Sequence, residues 1–236
     1  MKRKALLVGN TNGLPGVQID LANYANFLKS DFGGAWYESE IIILESPKKQ
    51  DLFTCIRKLK EEYLDYAFVV YSGHGAYRRE TILEINSDEE CVQEGDLKNI
   101  ATRQISIFDC CRNRMLTRLS ESRVLYKSFS AGGVIPNYRL YYETRIMQAS
   151  PQQVTLYACS IGESALDTEN GGLYSKNLLQ TAIELSDKYV LVGNAHQIAR
   201  VNTTSQAKAL ENHVQTPAST IPRVLTEQQL IISLHL

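Results

Sequence analysis

Two apolar runs in this chain end in residues that can do covalent chemistry. "VVYSGHG" places Ser72, Gly73, His74 and Gly75 after one run, and "ISIFDCCRN" places Asp109, Cys110, Cys111, Arg112 and Asn113 after another. A free cysteine titrates near ~8.5, so it is mostly thiol at neutral pH; a nearby imidazole can take its proton or stabilise the thiolate. The chemistry suggested is attack of sulfur on a carbonyl, with His74 as base and then acid. Glycines beside His74 let a backbone N–H approach a developing oxyanion, which makes the N–H groups of Gly75 and Cys111 candidate donors. Side chains alternate along a strand, so Cys110 and Cys111 point opposite ways, and alternation alone leaves open which one enters a cleft.

The elements around these residues must bring the two run ends together. "KALLVG" (4–9) reads as a buried strand, followed by a Gly/Asn/Pro loop from Gly9 to Gly16. Val17, Leu21, Tyr24 and Leu28 mark one helix face, and Leu52, Cys55, Ile56, Leu59 and Tyr63 mark another. Further strands are predicted at 40–44, 66–71, 104–109 and 154–159, with a small hairpin arm at 80–85. Helices are expected from Ser175 to about Leu185 and from Ala195 to about Leu210, and "LIISLHL" (230–236) is a candidate sixth strand. Residues 112–150 show no clear strand, and their basic, serine-containing first part reads as a mobile loop. Alternating strands and helices imply a mainly parallel sheet covered on both faces, with ligands at the carboxyl ends of its strands.

Composition narrows the function classes. With 236 residues, 44% hydrophobic and 22% charged, the chain can build a packed core. A net charge of −1 argues against a nucleic-acid partner. The apolar run at the start stops at Gly9, too short for a secretory leader, and no stretch approaches a membrane span of about 20 residues. A soluble, cytoplasmic protein with no membrane partner is expected. Cys55, Cys91, Cys110, Cys111 and Cys159 are odd in number and lack C-x-x-C spacing, which fits free thiols better than a disulfide framework or a zinc site. The Gly-rich loop after the first strand is neither G-x-G-x-x-G nor a P-loop, so nucleotide binding has little support.

The paired run ends resemble the caspase-like cysteine peptidases, the group that holds caspases and metacaspases. "VVYSGHG" resembles the family's histidine motif, and "DCCRN" resembles its cysteine motif, whose third residue, here Cys111, is the nucleophile. Cys111 follows His74 by 37 residues, a short insert as in compact bacterial members. "ALLVGN…LPGVQID" is similar to the first strand and G-x-x-x-D turn of metacaspases, ending on Asp20, and "LYACSIGESALD…GGLYSKNLL" to the late strand, substrate loop and following helix. Asn113 stands where caspases carry glycine. The resemblance implies a single α/β caspase-like domain over 1–236 with a six-stranded, mainly parallel sheet. Its large-subunit-like part would span about 1–130 and its small-subunit-like part about 150–236, with the mobile loop between.

It also implies a cysteine endopeptidase acting on protein or peptide substrates, with no required cofactor and room for a regulatory or activating protein. Calcium activates many metacaspases, but Asp88, Glu89, Glu90, Glu94 and Asp96 lack the EF-hand order and read as a solvated acidic turn. Caspases cut after aspartate and metacaspases after arginine or lysine. Asp20, Ser72, Asp109 and Asp167 match or neighbour S1 positions of the family, and paired carboxylates suit a buried cation. A basic P1 is therefore favoured, although Asp20 could instead cap its helix and Asp109 merely end a strand. Arg112, Arg114, Arg118, Arg123 and Lys127 then make self-cleavage in the 112–130 loop conceivable. The competing readings are an idle caspase-like scaffold, a peptidase cutting after aspartate, and, from fold class alone, a small-molecule hydrolase or flavodoxin-like binding domain.

Overall fold

The computed structural model describes residues 1–114 and 137–236. In chain order its strands and helices are β1 Arg3–Gly9, α1 Gly16–Lys29, β2 Ile41–Glu45, α2 Lys49–Glu61, β3 Leu64–Ser72, β4 Gly75–Tyr77, β5 Thr81–Glu84, β6 Cys91–Gln93 and β7 Ala101–Asp109. The second half adds α3 Tyr138–Gln148, β8 Gln152–Tyr157, β9 Asp167–Thr168, β10 Gly171–Gly172, α4 Leu173–Glu184, β11 Tyr189–Leu191, α5 Val192–Glu211, β12 Ala218–Thr220 and β13 Ile231–Leu234.

Six strands form the central sheet in the order β12-β8-β7-β3-β1-β2, parallel throughout except for β12. The run ends that carry His74 and Cys111 belong to β3 and β7, which are neighbours with Ser72 opposite Asp109. Alternation sorts each strand between two cores. In β1, Ala5 and Leu7 face the side packed by α1, α3, α4 and α5, while Leu6 and Val8 face the side packed by α2 and the β5–β6 arm. Almost every residue of β3 and β7 is buried, as a parallel strand covered on both faces requires.

One expectation is corrected, and one helix joins those expected. The closing "LIISLHL" does not join the central sheet; β13 pairs antiparallel with β11, and β12 forms the sixth strand. Burial explains the exchange: all four residues of β13 are buried, whereas β12 is short, polar and half open, as an edge strand tends to be. The stretch before residue 150 also contains a helix. Asn137 caps α3 by accepting from the Leu140 N–H at 3.0 Å, and Arg139 pairs with Glu40 at 2.6 Å and Glu143 at 3.0 Å.

Core and edge should answer differently to truncation. Ile107, fully buried in β7, is expected to cost about 2–5 kcal/mol as Ile107→Ala. Ile43, 40% exposed on edge strand β2, should cost less than about 1 kcal/mol as Ile43→Thr. Urea denaturation of the two variants reads both.

Candidate active site

The β3–β7 pairing continues past the strand ends. The Gly73 N–H donates to the Asp109 carbonyl at 3.1 Å, and the Tyr77 N–H donates to the Asn113 carbonyl at 2.7 Å. His74 and Cys111 therefore lie on segments that run side by side. Gly75 is pressed against the cysteine turn: a Cβ there would stand 2.7 Å from Cys110 Sγ and 2.8 Å from the Cys111 carbonyl oxygen. Any larger residue would force the two segments apart. Gly75 faces Leu83 in the β4–β5 ladder, and the neighbouring bond runs from the Glu84 N–H to the His74 carbonyl. Ladder alternation thus turns the Gly75 N–H away from β5, toward the cysteine segment.

The two cysteines divide as alternation requires. Cys110 is buried in the core with Val69, Tyr71 and Phe108; Cys111 is partly open, its Sγ 3.8 Å from the Ala165 carbonyl. Burial pushes the Cys111 thiol up, against the opposing effects of hydrogen bonding from the Ala165 backbone and the Ser164 side chain. The His74 Nε2 lies 3.0 Å from the Asn12 carbonyl. A carbonyl can only accept, so Nε2 carries hydrogen and the neutral ring leaves its lone pair on Nδ1. The Tyr71 hydroxyl lies 2.7 Å from the His74 carbonyl and fixes the backbone from below.

Beside this pair stands a buried acidic cluster. Asp20 does not cap α1, whose cap position is Pro15; it lies inside the helix, accepts from the Ser72 hydroxyl at 2.6 Å, and accepts from the Gly172 N–H at 2.9 Å. Asp109 accepts from the Ser175 N–H at 3.0 Å and the Ser175 hydroxyl at 2.6 Å. Gly172 and Ser175 begin α4, which has no cap of its own, so two remote carboxylates satisfy its first-turn N–H groups and meet its positive dipole end. Both press on the backbone there. A Cβ on Gly171, at φ +94°, would fall 2.1 Å from Asp20 Oδ1, and one on Gly172 would fall 2.3 Å from Asp109 Oδ2. Asp167, the most open of the three acids, accepts from the Gly16 N–H at 3.2 Å. Burial pushes Asp109 up to about 6, and burial together with the Asp109 charge raises Asp20 well above the usual carboxylate range.

Sequence reasoning named Asp20, Ser72, Asp109 and Asp167, and the fold brings all four together. It missed Asn12, Gly172, Ser175 and Tyr24, whose hydroxyl lies 3.0 Å from Ser175 Oγ. Their signal was faint: an asparagine in a glycine loop, and a glycine pair ahead of a helix. Arg112 is corrected. It is not part of an open loop but is buried, with Nε donating to Thr81 Oγ1 at 3.1 Å and its plane 3.9 Å from the Tyr157 ring. Arg114 is exposed; Arg118, Arg123 and Lys127 lie outside the described residues. The acidic turn also disperses: Glu90 accepts from Asn86, while Glu94 pairs with Lys98 and Tyr157. Among the described residues no group of three or more His, Cys, Asp or Glu side chains is arranged to hold a metal ion.

A family model described as the caspase domain matches residues 2–218. The chain belongs to the caspase-domain family. Among solved structures it is similar to caspase-1 from Spodoptera frugiperda, with TM-score 0.63, 14% identity, and coverage of 100% of this chain and 92% of that one. No curated protein matches it. At that identity the structural likeness speaks for the fold alone, while the family makes a cysteine peptidase acting on protein or peptide substrates the functional class. No helix among the described residues is long and apolar enough to cross a membrane.

The acidic cluster carries a testable stability effect. Asp109 is raised in the folded state, so the native protein binds the proton more tightly than the unfolded chain. Its favourable contribution is complete below about pH 4 and is lost as pH rises through about 6. Asp109→Asn should therefore melt a few degrees higher than wild type at pH 7.5, and the gap should narrow as pH falls from 6 toward 4. Melting curves across that range check it.

Proposed function

We propose that this caspase-domain protein is a cysteine endopeptidase in which Cys111 is the nucleophile and His74 moves the proton, cutting after arginine or lysine. The observation that carries the P1 preference is the acidic cluster. Asp20 and Asp109 are bonded to hydroxyls and backbone N–H groups, and among the described residues no basic side chain pairs with either. Buried carboxylates without a cation favour a substrate that brings one, and a guanidinium can meet them in bidentate geometry. Asp167, at the open side, would meet it first. An aspartate side chain would be repelled.

The resting sulfur is a thiol, since burial raises its pKa. As Cys111 Sγ bonds to the scissile carbonyl carbon, its proton passes to the His74 Nδ1 lone pair, while the Asn12 carbonyl holds the far side of the ring. Negative charge then gathers on the carbonyl oxygen, where the N–H groups of Gly75 and Cys111 are suited to receive it. Collapse breaks the peptide C–N bond, and His74 returns the proton to the leaving amine. A water, losing a proton to His74, hydrolyses the thioester and restores the thiol. No cofactor enters this sequence. Arg114, exposed just past the cysteine turn, and the basic residues that follow are within the same specificity for self-cleavage.

A fluorogenic panel with Arg, Lys or Asp at P1, run with and without calcium, tests the reading. Arg and Lys peptides should be cut, Cys111→Ala should be silent, and Cys110→Ala should keep its activity. Asp109→Asn or Asp167→Asn should lower kcat/KM for Arg peptides by about 10²-fold. Cleavage after aspartate alone, or activity surviving Cys111→Ala, would reject it. Intact-mass comparison of wild type with Cys111→Ala reads self-cleavage directly, and identical uncut masses would remove that part.

A further inference from the structure

A cavity of about 550 Å³ lies away from the cysteine and histidine segments. Thr226 and Glu227 on its wall precede Gln228, whose carbonyl accepts from the Ser150 N–H at 3.0 Å and from Gln152 Nε2 at 2.7 Å. Gln152 is the first residue of β8, and β8 runs parallel to β7. The cavity therefore sits by the amino ends of the strands, whereas His74 and Cys111 follow the carboxyl ends.

Its wall contains a buried cation with no ion pair among the described residues, Glu227 acting on it only from longer range. Arg145 of α3 is only 5% exposed. Its Nη2 reaches the Thr226 carbonyl at 3.4 Å, its plane lies 5.7 Å from the Tyr189 ring, and its Nη1 has no partner among the described residues. Among those residues no carboxylate comes within ion-pair distance of it, and burial lowers its pKa. A buried, unpaired guanidinium is costly, and a bound anion would relieve that cost. The same cavity is lined by Leu191 and Asn194, at the start of the 20-residue helix α5. The cap residue Leu191 offers no side-chain acceptor; the Val192 N–H donates to the Leu230 carbonyl at 3.0 Å, which leaves the Gly193 and Asn194 N–H groups and the positive end of the helix dipole for a ligand.

We propose that this cavity is a binding site for a small oxyanion group, a phosphate or a carboxylate, seated between the Arg145 guanidinium and the amino terminus of α5. Lys188 adds a second cation at the exposed rim. Asp187 and Glu227, also exposed on the rim, set a limit on the ligand's charge. They oppose a polyanion and favour a singly charged or zwitterionic molecule. The volume exceeds that of a bare anion and falls in the range of small-molecule pockets, leaving room for an organic body against Tyr189.

The test uses the full chain as Cys111→Ala, so its outcome is independent of peptidase activity. Melting temperatures are compared in sodium phosphate, sodium acetate and sodium chloride at equal ionic strength and pH 7.5. Phosphate or acetate should raise the melting temperature about 3 °C above chloride at tenfold saturation, and which of the two acts separates a phosphate head from a carboxylate head. Arg145→Gln should weaken the response at least about tenfold. Should that variant fail to fold, Lys188→Glu, at an exposed position, should weaken it several-fold instead. Equal melting in all three salts would overturn the proposal, as would an anion response unchanged by these substitutions.

Discussion

The folded state rests on two carboxylates held against the amino end of α4. Asp20 comes from α1 and Asp109 from the end of β7, so one cap ties the first helix, the middle of the sheet and the second half of the chain together. The contact explains the composition around it. Gly171 and Gly172 leave space that any Cβ would take from an acid oxygen, and Ser72 and Ser175 supply the hydroxyls that each carboxylate needs once water is gone. Helix α4 has no capping side chain of its own because this role is filled from elsewhere.

Such an arrangement trades stability for readiness. Burial raises the proton affinity of both acids, and the Asp109 charge raises that of Asp20, so the native state carries an electrostatic strain that an apolar replacement would lack. On the proposed function, that strain is relieved when a basic side chain arrives. The sulfur is poised in the opposite sense: Cys111 rests neutral and Cys110 is packed away behind it. The rigid part of the site is backbone, with Gly75 wedged on the cysteine turn and His74 held at the ring by Asn12 and at its carbonyl by Tyr71.

Much of this was legible in the sequence because buried parallel strands announce themselves. The runs ending at Ser72 and Asp109 are apolar on both faces, and glycine, histidine and cysteine directly after them mark the carboxyl edge of the sheet. Elements whose burial comes from partners far along the chain were harder to read. Helix α3 has a weak apolar stripe and depends on Arg139 reaching Glu40. Strand β12 is three small residues, two of them polar, that gain strand form only from β8, and β13 looked like a sheet strand because apolar content does not reveal which layer buries it. Asn12 and Gly172 act through backbone atoms, which side-chain identity does not disclose.

Arg112 has a consequence of its own. Its guanidinium is clasped by Tyr157, Thr81 and the Cys159 carbonyl, and its backbone is bonded on both sides to Gly162 and Glu163. The residue after Cys111 is thus moored to the second half of the molecule. On the other flank, α3 is moored to the first half by Arg139 on Glu40. Each bank of the stretch between them is fastened across to the opposite side. Scission of the backbone between those moorings would leave two polypeptides still fastened to each other through Arg112 and Arg139.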